Sequence, residues 1–136
     1  GHEEKRAAVF ADKLRALGLE DVHIDRGGNV VALRRGKGKV VNRNPEYHFE
    51  DLAYRYADKV MQPLLVTLEP TDKPAGLITH AGQEFNLVLE GTVIVCIGDR
   101  EFTLTAGDSI YFNPTIPHGQ RCGGDVKARF VTVIAE

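Results

Sequence analysis

A long series of short apolar segments, separated by turn residues, most constrains how this chain can fold. From Val40 onward the segments are divided by Asn-Pro, Glu-Gly, Gly-Asp and Gly-Gly turns. Such even spacing favours an antiparallel sandwich or barrel, and the number of segments is close to the eight or so strands of a jelly roll. We therefore predict an all-β jelly-roll β-barrel. The candidate strands are 39–43, 47–50, 60–68, 76–80, 84–90, 92–97, 101–105, 109–113 and 127–135.

The N-terminal segment has a different pattern. A helix from about residue 3 to about residue 17 is predicted by one apolar stripe, Ala7, Phe10, Leu14 and Leu17. Gly18 fits the left-handed position that ends a helix, and Leu19 is available for the contact that follows it.

A β-hairpin is predicted next, because Val22 and Ile24 alternate with polar residues and a Gly-rich turn precedes the apolar run 30–33. We expect residues 1–38 to form an N-terminal helix and hairpin extension, and residues 39–136 to form the β-barrel domain.

Composition limits the classes of partner. The chain has 136 residues, 43% of them hydrophobic, and a net charge of -2, which argues against disorder and against bulk attraction to nucleic acid. No apolar run is long enough to cross a bilayer. We therefore expect no membrane association and no direct nucleic-acid binding by this chain.

The N-terminus and the cysteines indicate a compartment. No apolar signal segment is seen at the N-terminus, and Cys96 and Cys122 form no CxxC pattern. The expectation is a cytoplasmic chain with two reduced, partly buried thiols.

Three side chains stand out as a candidate site. In a strand, His80, Glu84 and Asn86 fall on one face, so an inward-facing strand projects them into one cavity. His118 follows a strand and a proline-bounded loop. Two imidazoles and one carboxylate in one pocket suit a divalent transition metal with open coordination positions.

Two motifs resemble those of the cupin superfamily. The first is His80-x3-Glu84-x6-Gly91, and the second is Gly107-Asp108-x8-Pro117-His118. The resemblance implies a small jelly-roll β-barrel, commonly a dimer, whose metal ligands are His80, Glu84 and His118. The metal that it implies is Fe, Zn, Mn or Ni.

One position departs from the cupin pattern. The first cupin motif usually begins His-x-His, and its first histidine falls at Ile78, which cannot ligate a metal. Two interpretations therefore stay open. Either His80, Glu84 and His118 hold a metal with three ligands, or His80 and Glu84 form a hydrogen-bonded polar pair without one.

The stretch from about 36 to 135 also resembles the sensor half of bacterial helix-turn-helix–cupin transcriptional regulators. The shared segments include 47–53, 63–67, His80–Phe85 and Gly107–Phe112. Residues 3–33 predict one helix and a hairpin instead of a helix-turn-helix domain.

Two functions follow from these resemblances. The first is a small-molecule sensor, forming a homodimer, whose ligand pocket includes Ile78, Asn86 and Phe112 around the three candidate ligands. The alternative is a metal-dependent enzyme, such as a dioxygenase, isomerase or lyase acting on a small polar substrate. Tyr111 is a weak candidate for its acid or base, because strand alternation directs Phe112 inward and Tyr111 outward.

Overall fold

The computed structural model describes residues 2–16, 19–24, 26, 30–33, 38–44 and 46–136. In these ranges the chain forms helix α1 (His2–Ala16) and strands β1 (Glu20–Ile24), β2 (Val30–Leu33), β3 (Lys39–Asn44), β4 (Tyr47–Asp51), β5 (Met61–Leu68), β6 (Gln83–Glu90), β7 (Thr92–Ile97), β8 (Arg100–Thr105), β9 (Ser109–Phe112), β10 (His118–Cys122) and β11 (Ala128–Ala135). None of the helices in these ranges is both long and apolar enough to span a bilayer.

The chain divides into two compact units, 1–37 with 54–58, and 38–53 with 59–136. The predicted boundary near residue 38 stays a prediction. The grouping of residues 54–58 with the N-terminal segment is a feature that the sequence pattern does not indicate.

The first unit contains the predicted helix and hairpin. Helix α1 buries Ala11 and Leu14, and strands β1 and β2 pair antiparallel. The ring of Phe10 lies edge-on to Tyr56, with the ring centroids 5.5 Å apart. Leu19 donates its backbone N–H to the carbonyl of Leu14 at 3.2 Å, so the chain just beyond the helix is bonded back to its last turn. The predictions for Leu17, Gly18 and most of the hairpin turn fall on residues that lie outside the described ranges.

The second unit consists of two antiparallel sheets. One has the order β3-β4-β5-β11-β6-β9, and the other has the order β10-β7-β8. Both sheets contribute to one apolar core, because it combines inward-facing side chains of β5, β6, β9 and β11 with those of β7 and β10. The members of this core are Leu64, Val66, Leu68, Val88, Val93, Val95, Phe112, Cys122, Ala128 and Phe130.

The all-β jelly roll with its N-terminal helix and hairpin is confirmed, but the prediction of a closed barrel is wrong. Among the described residues, the strand ladders end at β3 and β9 on one sheet and at β10 and β8 on the other. Strand β9 has only four residues, and the chain leaves it through Asn113-Pro114. Because proline has no N–H to continue a ladder, β9 ends before Pro114. The two sheets share one core as the layers of a double-sheet jelly roll.

Two strand predictions need correction. The segment 76–80 forms a single bridge, in which Ile78 and His118 exchange backbone hydrogen bonds of 2.9 and 3.0 Å. Strand β10, which begins at His118, was missed because its sequence, His-Gly-Gln-Arg-Cys, is polar and contains a glycine. Gly119 is required there, since a Cβ atom would lie 2.5 Å from the carbonyl oxygen of Gly76.

Candidate metal and ligand site

The structure brings the three candidate ligands together. Glu84 lies on β6, His80 lies just before that strand, and His118 opens β10. The Oε2 atom of Glu84 is 2.9 Å from Nε2 of His80 and 3.1 Å from Nε2 of His118. The two imidazole rings meet edge to face, with centroids 5.0 Å apart. One ligand atom from each of the three residues lies within 4.8 Å of the others, which is the spacing of a metal site.

The backbone fixes the tautomer of both imidazoles. Nδ1 of His80 lies 3.0 Å from the carbonyl oxygen of Ala81, and Nδ1 of His118 lies 2.9 Å from that of Ile116. A carbonyl oxygen only accepts hydrogen bonds, so each Nδ1 carries the proton. When the ring is neutral, its Nε2 atom presents a lone pair towards Glu84.

The other carboxylate oxygen of Glu84 is saturated. Its Oε1 atom accepts hydrogen bonds from Asn86 Nδ2 at 3.0 Å, Gln120 Nε2 at 3.0 Å and Thr132 Oγ1 at 3.2 Å. Asn86 also donates to Thr132, and Gln120 also donates to the side-chain oxygen of Asn86. This network, the Glu84 network, holds the carboxylate so that only Oε2 faces the imidazoles.

The donor set fits a divalent metal. Two Nε2 lone pairs and one carboxylate oxygen are all acceptors, and three acceptors in contact repel one another unless a cation or proton lies among them. Cis ligands that each lie about 2.1 Å from an ion are about 3 Å apart, close to the two distances to Oε2. Two histidines and one carboxylate form the facial set of ligands that leaves coordination positions open.

Burial differs among the three ligands. His118 is 1% exposed and Glu84 is 4% exposed, whereas the side chain of His80 is 21% exposed. Phe112 packs its ring against that of His118, with centroids 5.0 Å apart. Packing therefore closes the site on the His118 side, and the site is reachable from solvent on the His80 side.

A cavity of about 450 Å³ opens at these ligands. This volume is within the range of small-molecule sites. His80, Glu84, His118, Gln120 and Thr132 form its polar end. Most of the rest of the wall is apolar and comes from β4, β5, β11 and the segment before His80, including Phe49, Leu64, Val66, Leu68, Leu77, Phe130 and Ile134.

An ion pair also lines this cavity. Lys73 Nζ lies 2.5 Å from Glu46 Oε1. The hydrogen bond from Lys73 lowers the pKa of the Glu46 carboxyl and raises the pKa of Lys73 itself. Both groups are solvated, so their contribution to stability is small.

The predicted pocket residues occupy different positions. Ile78 lines the cavity and is 60% exposed. Asn86 lies buried behind Glu84, and Phe112 lies behind His118. Tyr111 is 63% exposed, as strand alternation predicts, and its hydroxyl donates to Gln83.

Sequence reasoning missed two members of the site. Gln120 belongs to the strand that was not predicted. Thr132 lies on a predicted strand, on the same face as Phe130, but only the register of β11 against β6 shows that it is opposite Asn86. Alternation along the strand was the available signal for Thr132.

The two cysteines are free thiols on different faces. Cys122 is buried, lines the cavity, and directs its thiol to the carbonyl oxygens of Gly124 and Val126. Cys96 is half-buried beside Glu101. Burial, assisted by the negative charge of Glu101, raises the pKa of the Cys96 thiol.

Two transcriptional regulators are similar to this chain in sequence or structure. The chain is 31% identical over 61 residues to the HTH-type transcriptional regulator PuuR of Escherichia coli, covering 45% of this chain and 33% of the regulator. The structure of an HTH_3 family transcriptional regulator from Vibrio cholerae superposes with a TM-score of 0.58 at 24% identity, covering 67% of this chain and 51% of that one. These matches confirm the resemblance to helix-turn-helix–cupin regulators.

The structure is also similar to an enzyme, the hydroxypropylphosphonic acid epoxidase of S. wedmorenis. Its TM-score is 0.66 at 26% identity, over 84% of this chain and 61% of the enzyme. This chain thus spans about a third of the curated regulator and about half to three-fifths of these two structures.

The fold is also that of a protein of which this chain covers a larger share. An RmlC-like cupin from Shewanella frigidimarina superposes with a TM-score of 0.61 at 16% identity, covering 72% of this chain and 83% of that protein. The family model described as "Cupin domain" matches residues 64–134, which is more than half of the chain. On its sequence and its fold, this chain belongs to the cupin family.

Proposed function

We propose that this chain is a small-molecule-binding, sensor-type cupin domain that serves as the effector domain of a transcriptional regulator. A divalent metal, Fe, Zn, Mn or Ni, is held by His80, Glu84 and His118. The observation that carries the proposal is the cavity of about 450 Å³ with three convergent ligand atoms in its wall. The similarity to regulators supports the sensing role.

Each predicted pocket residue has a part in this proposal. Ile78 supplies apolar contact to the bound molecule at the cavity wall. Asn86 holds the Glu84 carboxylate, and Phe112 holds the ring of His118, so both act through a ligand of the metal. The metal, when bound, supplies a Lewis acid to which oxygen atoms of a small molecule coordinate.

The segment 71–80 connects the cavity with the protein surface. Thr71 and the residues from Lys73 to Ile78 line the cavity, as does His80 at the end of the segment. It is fastened by the Lys73–Glu46 pair and by the backbone pair of Ile78 with His118. A molecule that fills the cavity presses on this segment, which provides the differential contact that a sensor needs.

Metal loading followed by ligand screening tests the proposal. Protein stripped with a chelator is titrated with Zn²⁺ and, without oxygen, with Fe²⁺, and metal content is measured after gel filtration. We expect one equivalent per chain. Small molecules are then screened for thermal stabilisation of the loaded protein, and stabilisation without chemical change of the molecule supports a sensor. Substoichiometric metal would overturn the ligand assignment.

A metal-dependent enzyme, such as a dioxygenase, isomerase or lyase acting on a small polar substrate, is the second candidate. The similarity to the epoxidase over 84% of this chain favours it. The exposed position of Tyr111 leaves Tyr47 as a tyrosine in the described cavity wall. Oxygen uptake by the Fe²⁺-loaded protein, or conversion of a stabilising molecule, would establish this alternative.

The proposed homodimer is tested separately. Sedimentation equilibrium of the metal-loaded chain should give twice the chain mass of 15.0 kDa. A monomer at all concentrations would contradict it.

A further inference from the structure

We infer that the occupant of this cavity is an amphiphile, with a singly negative, bidentate oxygen head on the metal and an uncharged apolar body along β5 and β11. This inference rests on the proposed metal-binding function and names the class of molecule that the site takes.

The net charge of the metal site determines the charge of the ligand's head group. A divalent ion with one carboxylate and two neutral imidazoles leaves one net positive charge in a buried pocket. A net charge is costly to bury, and a singly negative head removes it. Three protein ligands leave room for two oxygen atoms of one head group.

The Glu84 network leaves no free hydrogen-bond donor for a ligand at the polar end of the cavity. The hydrogens available from its side chains are two on Asn86, two on Gln120 and one on Thr132. Each of these is already donated, to Glu84, to Asn86 or to Thr132. A molecule rich in hydroxyl groups, such as a sugar, therefore finds no unused donor in this network, and hydroxyls placed at this end lose their water partners without gaining a donor from it.

The direction of the body follows from strand register. Glu84 is opposite Ile134 on β11, which is opposite Gln62 on β5. Leu64 and Val66 are two and four residues further along β5. At about 3.3 Å per residue, Val66 lies roughly 13 Å beyond the level of the metal ligands. Leu64 and Val66 on β5, with Phe130 opposite Val66 on β11, thus follow one another away from the site.

The charges along the cavity disfavour a second anionic group. The described cations in its lining are Lys73, which is paired with Glu46, and Arg121, which is 3.5 Å from Glu101. Glu46 and Glu69 also belong to the lining. A volume of 450 Å³ equals on the order of fifteen water molecules, which accommodates a head group and a chain of several carbons.

Hydroxamic acids of different tails test this class directly, because their head is a singly charged, bidentate oxygen ligand. Zinc uptake by the stripped full chain is first measured alone. Acetohydroxamic, octanohydroxamic and 8-aminooctanohydroxamic acids, and octanamide as a tail without the head, are then titrated into zinc-loaded and zinc-free protein by calorimetry.

We expect octanohydroxamic acid to bind the zinc-loaded protein at least tenfold more tightly than acetohydroxamic acid, since each fully buried methylene contributes about fourfold. Removing zinc should abolish this binding, and the amino group on the tail should weaken it.

A matched pair of variants tests which wall the apolar body of the ligand contacts. Val66→Thr, on the cavity wall, should reduce the advantage of the long tail about tenfold. Val131→Thr, half-buried on the opposite face of the same sheet, should leave it unchanged.

The outcomes separate two failures. If zinc does not bind at all, the proposed function is overturned and this inference with it. If zinc binds but the two tails bind equally, or the charged tail binds best, the metal site stands and the amphiphile is excluded. Equal binding of octanamide and octanohydroxamic acid excludes the metal-bound head. Equal effects of Val66→Thr and Val131→Thr on tail binding would show that the tail does not lie against the wall formed by β5 and β11.

Discussion

The two walls of the cavity use hydrogen bonds in opposite ways. Around Glu84, every donor hydrogen of Asn86, Gln120 and Thr132 is used: three are donated to one carboxylate oxygen, and two connect these side chains to one another. Along Leu64, Val66 and Phe130 the buried side chains offer no hydrogen bonds at all. Specific hydrogen bonds therefore fix the side chains at one end of the cavity. The other end selects a ligand only by its shape and polarity.

This difference has consequences for how the site fails. A change in the polar wall leaves a buried polar group without a partner or a metal ligand misplaced, so it changes binding more than its size suggests. A change in the apolar wall removes contact area and costs stability. The predictions below compare the two walls.

Glu84→Gln should have the largest effect. The metal affinity should fall more than about a hundredfold, beyond the loss typical of residues that only support a ligand. The metal-free variant should be as stable as the unmodified protein, or about 1 kcal/mol more stable, because the new amide can donate to the two Nε2 lone pairs. Zinc titration and denaturant unfolding measure the two effects.

The control for this variant is Glu90→Gln, at an exposed position on the same strand, where the carboxylate is paired with Arg129 at 3.4 Å. It should change neither quantity. A loss of about 3 kcal/mol or more in metal-free Glu84→Gln would mean that the imidazoles are protonated and paired with the carboxylate. The site would then be a buried ion pair instead of a metal site.

Leu68→Ala should mainly affect stability. Leu68 is buried on the apolar wall, six residues along β5 from the level of the metal ligands. The free energy of unfolding should fall by about 2–5 kcal/mol, while the zinc affinity of the folded protein stays the same. Leu65→Ala, on the other face of β5, should cost less. A parallel loss of zinc affinity would show that the two walls are coupled.

Thr132→Val tests the network without changing a proposed ligand. The substitution keeps the shape, removes one hydrogen bond to Glu84 and leaves one Asn86 hydrogen without its acceptor. We expect a loss of about tenfold in zinc affinity and of about 1–3 kcal/mol in stability. Thr67→Val, at a half-buried position of β5, is the control. Unchanged zinc affinity would mean that Glu84 is held by its strand alone.

The same contrast explains what the sequence could and could not predict. The positions of His80, Glu84 and His118 follow from motif spacing, and the inward direction of Phe112 follows from strand alternation. The Glu84 network could not be predicted, because Gln120 and Thr132 are 36 and 48 residues from Glu84 and meet it only through register. The single bridge at Ile78 could not be predicted either, because it depends on backbone pairing with the distant His118, which local patterns do not encode.

The smallest expected effect concerns the two thiols, whose alkylation rates compare the outer face of the sheet with the cavity wall. Burial and the charge of Glu101 raise the pKa of Cys96, so less of it is the reactive thiolate at neutral pH. Glu101→Gln removes the negative charge, lowers that pKa, and should increase the rate of Cys96 alkylation by iodoacetamide a few-fold near pH 8, as followed by mass spectrometry. Cys122, buried in the cavity wall, should react more slowly, show no change in this variant, and be protected further by octanohydroxamic acid in the zinc-loaded protein. If Cys122 reacted as fast as Cys96, the cavity wall would open readily to solvent, and the apolar wall could not select a ligand as inferred.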